Sequence, residues 1–305
     1  MTLTVDRAAD APAGRAVRDL IGVSAALATP FDAAGNIDWQ RYAAHAAGLL
    51  GSGMHVVTAF GTTGEGISIA RSERDALYDR FGEAGIEPHR LVECVYGPSS
   101  REAGAQLRRA LERGASGILL TPPYYFKMPS EEGIFRWYAE ALEAGGAGAR
   151  NIILYNIPSL TGVTIGPRLV SRLRDAFPGA IGGVKDSSGD FAQTTALLAE
   201  HRDLAILVGH EGHLAAAVRA GATGAISGVA NVAPKLLARL VAGEHDPVID
   251  AALERILALP VVPAVKALIA ARTGDEHWLQ TRAPLVPIAD PSALARLADV
   301  AASMA

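Results

Sequence analysis

Eight short apolar runs alternate with eight amphipathic stretches along one uninterrupted chain, and this alternation restricts the fold more than any other feature of the sequence. The runs lie at 22–28, 55–59, 91–96, 117–121, 152–155, 181–185, 205–208 and 224–227. Each is bounded by small or polar residues, which reads as a buried strand. Helical spacing fills the intervals near 38–50, 71–84, 100–113, 131–144, 167–176, 190–200, 211–220 and 232–243. Ser72 before Glu73, Ser130 before Glu131 and Glu132, and Asp190 before Phe191 read as helix caps.

Parallel strands need crossover helices of about this length. Eight strand–helix units without a break in composition therefore imply an α/β chain folded as a (β/α)8 TIM barrel over residues 20–245. Residues 246–305 look helical and form a C-terminal helical extension. Residues 1–19 interleave Arg7, Arg15 and Arg18 with Asp6, Asp10 and Asp19. They lack the apolar centre of a signal peptide and read as a flexible N-terminal leader. The rival architecture, a doubly wound open sheet, calls for a glycine-rich turn after the first strand. Ala28-Thr29-Pro30-Phe31 stands there instead.

Composition narrows the function. Half of the 305 residues are hydrophobic, enough for a large core. The formal net charge of -4 argues against nucleic acid or an anionic membrane as a partner. The most apolar later stretch, 249–271, is interrupted by Glu254, Arg255, Pro260, Pro263 and Lys266, which argues against a membrane span. The single cysteine, Cys94, excludes a disulfide framework and suits a reducing cytoplasm.

In such a barrel the chemistry collects where strands end and loops to the following helices begin. Lys185 closes the sixth run, followed by Asp186-Ser187-Ser188-Gly189. A lysine at that exit sits partly out of water, where desolvation disfavours its ammonium form and frees an amine that can attack a carbonyl. An ordinary solvated lysine is the bland alternative. Gly61-Thr62-Thr63-Gly64-Glu65 follows the second run and offers closely spaced N–H groups and hydroxyls suited to a carboxylate. It reads equally well as a tight capped turn. Tyr155 ends the fifth run, where a phenol can donate and recover a proton or simply line the barrel. Tyr124 and Tyr125 share that ambiguity. His210-Glu211-Gly212-His213 raises a metal reading. Helical zinc motifs space their histidines four apart, whereas these are three apart and lack an obvious further ligand. No metal is expected.

Together, Ala28-Thr29-Pro30-Phe31, Gly61-Thr62-Thr63-Gly64-Glu65, Tyr155-Asn156-Ile157-Pro158 and Val184-Lys185-Asp186 with Ser188-Gly189 resemble the dihydrodipicolinate synthase and N-acetylneuraminate lyase superfamily of pyruvate-dependent class I aldolases, over residues 22–287. The resemblance implies a TIM barrel with a helical extension, assembled as a homotetramer of tight dimers. It makes Lys185 the Schiff-base lysine and Tyr155 the proton shuttle. Thr62 and Thr63, opened by Gly61, become the loop that holds the pyruvoyl carboxylate and relays protons. Tyr125 becomes a tyrosine that reaches into the neighbouring subunit's site. Tyr124 is the alternative there, because Phe126-Lys127-Met128 lengthens the link to the next proline. Ile226 matches a position whose backbone faces the pyruvoyl unit.

Two departures shape the expected substrate. Dihydrodipicolinate synthases carry an arginine where Leu160 stands, and leucine cannot grip a carboxylate. Sialic-acid lyases carry an acidic pair after the seventh strand, where Glu211 is followed by Gly212. A 2-keto-3-deoxy sugar acid fits better, with Ser187, Ser188, Thr164, His210 and Glu211 as contacts for its polyol chain. The expected reaction is cleavage to pyruvate and an aldehyde, or its reverse, through an imine on Lys185 that needs no cofactor. The alternatives are a 2-keto-3-deoxy acid dehydratase using the same imine, a 4-hydroxy-tetrahydrodipicolinate (dihydrodipicolinate) synthase, a metal-dependent aldolase, and a non-catalytic sugar-acid sensor.

Overall fold

The computed structural model describes residues 15–304 and turns the eight apolar runs into eight parallel strands. These are β1 (Val23–Ala25), β2 (Val57–Ala59), β3 (Leu91–Val95), β4 (Gly117–Leu120), β5 (Ile152–Asn156), β6 (Ile181–Asp186), β7 (Ala205–Val208) and β8 (Gly224–Ser227). Hydrogen bonding runs β1-β8-β7-β6-β5-β4-β3-β2. A parallel bridge between Ala26 and Thr58 joins β1 to β2, with the Leu27 N–H donating to the Thr58 carbonyl at 2.9 Å. The sheet is a TIM barrel. β1 is shorter than its apolar run because the chain leaves the ladder early to form the loop at 26–31, whereas β2 joins the ladder two residues after its run begins.

Both faces of each strand are buried, which is why the runs are continuously apolar rather than alternating. Val92, Cys94, Leu119, Ile153, Tyr155, Leu207 and Ile226 share the barrel interior. Leu91, Ile118, Leu120, Ile152, Leu154, Val184 and Ile206 join the larger core shared with the surrounding helices.

The expected leader ends earlier than its charge pattern suggests. Val17–Leu20 forms a short helix, and Val17, Leu20 and Ile21 are buried within the interior cluster. A Cβ at Gly182, near the start of β6, would lie 2.9 Å from a Val17 methyl, so this helix sits against the N-terminal end of the barrel. Residues 1–14 of that expected leader lie outside the described residues. Ser130 and Asp190 act as caps, accepting from the Gly133 and Ala192 N–H groups at 3.2 and 2.9 Å. Ser72 does not. The cap of helix Arg71–Glu83 is Ala70, whose N–H donates to the Glu73 carboxylate at 2.9 Å.

After the barrel come helices Pro247–Leu257, Val261–Thr273 and Pro291–Ser303. The middle one is enclosed: every residue from Pro263 to Ala270 is buried, Lys266 included. Among the described residues, no helix is long and apolar enough to cross a membrane.

Candidate active site

The β5–β6 register pairs Tyr155 with Lys185, and both side chains point into the barrel mouth. The Lys185 Nζ donates to the Tyr155 hydroxyl at 3.2 Å and lies 4.3 Å from the centre of its ring. The Tyr155 hydroxyl meets the Thr62 hydroxyl at 3.2 Å. Lys185 is 5% exposed and Tyr155 2%. An amine and a phenol so far from water need one another as partners. The three residues come from separate strand ends yet form one line of polar atoms. Behind them the strands are clamped together. Asn156 donates to Asp186 at 2.8 Å and accepts from the Ile165 N–H at 2.9 Å. Asp186 also accepts from Thr194 at 2.6 Å and from the Ser188 N–H at 3.1 Å.

The loop carrying Thr62 is strained and heavily braced. Phe60 and Glu65 adopt left-handed backbone, with φ of 57° and 54°, an arrangement that surrounding structure must enforce. Gly66 packs so closely that a Cβ would come within 1.8 Å of the Phe60 carbonyl oxygen. A Cβ at Gly64 would sit 2.6 Å from the Leu27 carbonyl oxygen. The Thr29 hydroxyl donates to the Gly64 carbonyl at 2.7 Å, and Arg74 donates to the Gly66 carbonyl. Among the described residues, no backbone carbonyl accepts from the Thr62 or Thr63 N–H. Both remain available to an anion in the manner of a backbone nest.

Glu65 anchors this loop from below. Its carboxylate pairs with the fully buried Lys266 of the C-terminal extension and accepts from the Arg282 N–H at 2.8 Å. Burial pulls Lys266 down to about 8, against the upward effect of Glu65. Lys266 also donates to the Gln280 carbonyl and sits 4.3 Å from the centre of the Phe31 ring. The extension is therefore joined to the site. The sequence reading passed over this brace, although a charged lysine inside an apolar helical run was a usable signal.

The remaining expected residues divide. Thr63 is buried beside Gly228, where a Cβ would lie 3.1 Å from its hydroxyl. Gly61 is buried, and Ile226 lines the interior one residue before the end of β8. Ser187 follows β6 and packs against Gly209, where a Cβ would lie 2.0 Å from its hydroxyl. His210 holds the N-cap position of helix Glu211–Arg219 without a side-chain capping bond, and its ring stacks on His213 with ring centres 4.4 Å apart. Burial and the neighbouring His210 hold His213 below the usual histidine range. Glu211 faces inward, accepting from Ser227 at 2.5 Å. That bond occupies one of its oxygens. Leu160 stands on the short helix Pro158–Thr161 and is exposed. Tyr125 is 74% exposed and packs edge-on to Phe126 rather than entering its own barrel. Tyr124 is more buried, and that burial raises its phenol above the usual range. Among the described residues, no three histidine, cysteine or acidic side chains converge to hold a metal ion.

The fold is thus a TIM barrel with a buried lysine–tyrosine–threonine line at its C-terminal mouth. The chain belongs to the dihydrodipicolinate synthetase family, whose signature spans residues 19–291. It is 33% identical over 223 residues to a 4-hydroxy-tetrahydrodipicolinate synthase of Porphyromonas gingivalis, covering 73% of each chain. The crystal structure of a dihydrodipicolinate synthase from Agrobacterium tumefaciens superposes with a TM-score of 0.90 at 46% identity, covering 93% of this chain and 99% of that one. YagE, a prophage protein of E. coli K12 solved in complex with pyruvate, superposes with a TM-score of 0.82 at 25% identity, covering 93% and 98%. The chain is an enzyme of the lyase class.

Proposed function

We propose that this enzyme is a pyruvate-dependent Schiff-base aldolase that cleaves, or forms, a 2-keto-3-deoxy sugar acid. The observation that carries the reading is the Lys185–Tyr155–Thr62 line, with both gaps at 3.2 Å. The Lys185 amine adds to the ketone carbon, and a proton delivered by Tyr155 lets the resulting hydroxyl leave as water. The phenolate this leaves on Tyr155 takes the C4 hydroxyl proton as the electron pair of the C3–C4 bond moves into the iminium, releasing an aldehyde and leaving an enamine. Protonation and hydrolysis free pyruvate and restore the amine. The nitrogen is the electron sink, so this sequence of steps draws on no cofactor. The free N–H groups of Thr62 and Thr63 suit the carboxylate. Ser187 and His210 follow β6 and β7 and suit contact with the polyol chain, as does the Glu211 oxygen that Ser227 leaves unbonded.

Several relatives are named as 4-hydroxy-tetrahydrodipicolinate synthases, which keeps that activity as the second reading. Leu160 weighs against it by presenting an exposed apolar side chain where a carboxylate clamp would be needed. Incubation with a panel of 2-keto-3-deoxy acids separates the readings. Pyruvate plus an aldehyde supports aldol cleavage, whereas a dioxo product indicates dehydration. Silence across the panel, with condensation of pyruvate onto an amino-aldehyde, would make the enzyme a synthase.

The assembly we assign is a homotetramer made of two tight dimers. Tyr125, Phe126 and Met128 are exposed on one loop and Leu160 on the adjoining short helix Pro158–Thr161, where a Cβ at Gly162 would lie 3.3 Å from Lys127. Apolar groups clustered in this way suit a subunit contact. The single cysteine, buried and free, fits work in the cytoplasm.

A further inference from the structure

Tyr96 stands just beyond β3, with its ring packed against the barrel-interior cluster that contains Tyr155 and Cys94. Its hydroxyl oxygen is buried and has no hydrogen-bond partner. Leaving a buried hydroxyl unpaired costs stability, so its persistence asks for a reason. The ring is held in place. The Arg74 guanidinium lies 5.8 Å from its centre, and a Cβ at Gly66 would come within 2.8 Å of its Cε2. Its carbonyl accepts from Gln106 at 3.0 Å. The phenol is thus fixed beneath the strained loop that carries Thr62. Burial raises it well above the usual range, Cys94 and Tyr155 raise it further, and the Thr62 hydroxyl opposes them.

We propose that Tyr96 is a positioning residue of this enzyme: with the oxo acid bound, its hydroxyl donates to the Thr62 oxygen and turns the Thr62 proton toward Tyr155. Lys185 donates to Tyr155 at one end, yet the Thr62–Tyr155 contact still leaves either oxygen free to be the donor, so a second donor at Thr62 is needed to fix the direction of the line. Tyr96 supplies that direction from within the same chain. Hydrogen bonds at catalytic centres commonly tighten only when substrate is present, which accounts for the unpaired hydroxyl here. No proton is consumed. Tyr96 keeps its own and acts through Thr62.

The inference rests on the aldolase reading, and one assay separates the two. Exchange of the pyruvate C3 hydrogens with deuterated water, followed by NMR, needs only pyruvate and the enamine. Wild-type enzyme that neither exchanges these hydrogens nor forms a borohydride-reducible pyruvate adduct overturns both ideas. If wild type exchanges, Tyr96→Phe should lower the maximal exchange rate about tenfold, the worth of one hydrogen bond. The KM for pyruvate should stay within about twofold, because no substrate contact is removed. In a Thr62→Val background the same substitution should have almost no further effect, since it acts through the missing hydroxyl. Tyr138→Phe, which deletes another buried unpaired phenol oxygen on helix Glu131–Gly145, should exchange at the wild-type rate. Unchanged exchange in Tyr96→Phe overturns the proposal. So does an equal loss with and without Thr62, or an equal loss in Tyr138→Phe.

Discussion

Replacing Lys266 with methionine tests the claim that the C-terminal extension holds the substrate loop in place. Methionine nearly matches the length of the lysine stem and keeps the packing against Phe31, but it leaves the Glu65 carboxylate buried without its cation. Breaking a buried pair from one side typically costs about 3–5 kcal/mol. Phe60 and Glu65 hold left-handed backbone at about 1–3 kcal/mol each, so relaxation of the loop provides a way to relieve part of that penalty. The expected result is a loss of about 3 kcal/mol in denaturant unfolding, with a weaker KM for pyruvate because the Thr62 and Thr63 amides are no longer held. Removing both charges, as Lys266→Met with Glu65→Gln, should recover most of the lost stability, since an uncharged pair has no stranded ion. A single variant as stable as wild type, or a double variant as unstable as the single one, would refute the reasoning.

Four shorter predictions accompany it. Tyr155→Phe should lose about a hundredfold to ten-thousandfold in turnover while still forming some reducible adduct, measured by steady-state kinetics beside trapping. Gly66→Ala should fold poorly or unfold at a much lower temperature by calorimetry, because its methyl would meet the Phe60 carbonyl. Lys266 binds its proton less tightly folded, at about 8, than unfolded, at 10.5. The unfolded chain holds more protons across that interval, so wild type should gain stability relative to Lys266→Met as pH rises from about 8 to 10 in paired denaturation series. Activity should survive prolonged chelation with EDTA, and its loss would favour a metal-dependent aldolase.

Much of the fold was legible because the alternation of apolar runs and amphipathic stretches is a direct consequence of strands buried on both faces and helices buried on one. Boundaries fell within a few residues for β3 to β8 and for the eight outer helices. The helix Val17–Leu20 was missed because Arg15, Arg18 and Asp19 interleave with its two buried side chains and mask them. Lys185 and Tyr155 were legible because each ends an apolar run, and their register is a local consequence of adjacent strands. Glu65 with Lys266 was not, since 201 residues separate them and only the closed barrel brings them together. Tyr96 escaped for another reason. A tyrosine at a strand end is ordinary in sequence, and what distinguishes it is an unpaired oxygen that only three-dimensional packing reveals.

The central claim is that the Lys185 nitrogen bonds covalently to a 2-oxo acid, and reductive trapping tests it most directly. Enzyme incubated with pyruvate and sodium borohydride, then digested and weighed by mass spectrometry, should carry one reduced pyruvoyl adduct, on the peptide containing Lys185. Lys185→Ala should carry none. An unmodified Lys185 peptide from an enzyme that turns over its substrate, or an adduct mapped to another lysine, would contradict the account.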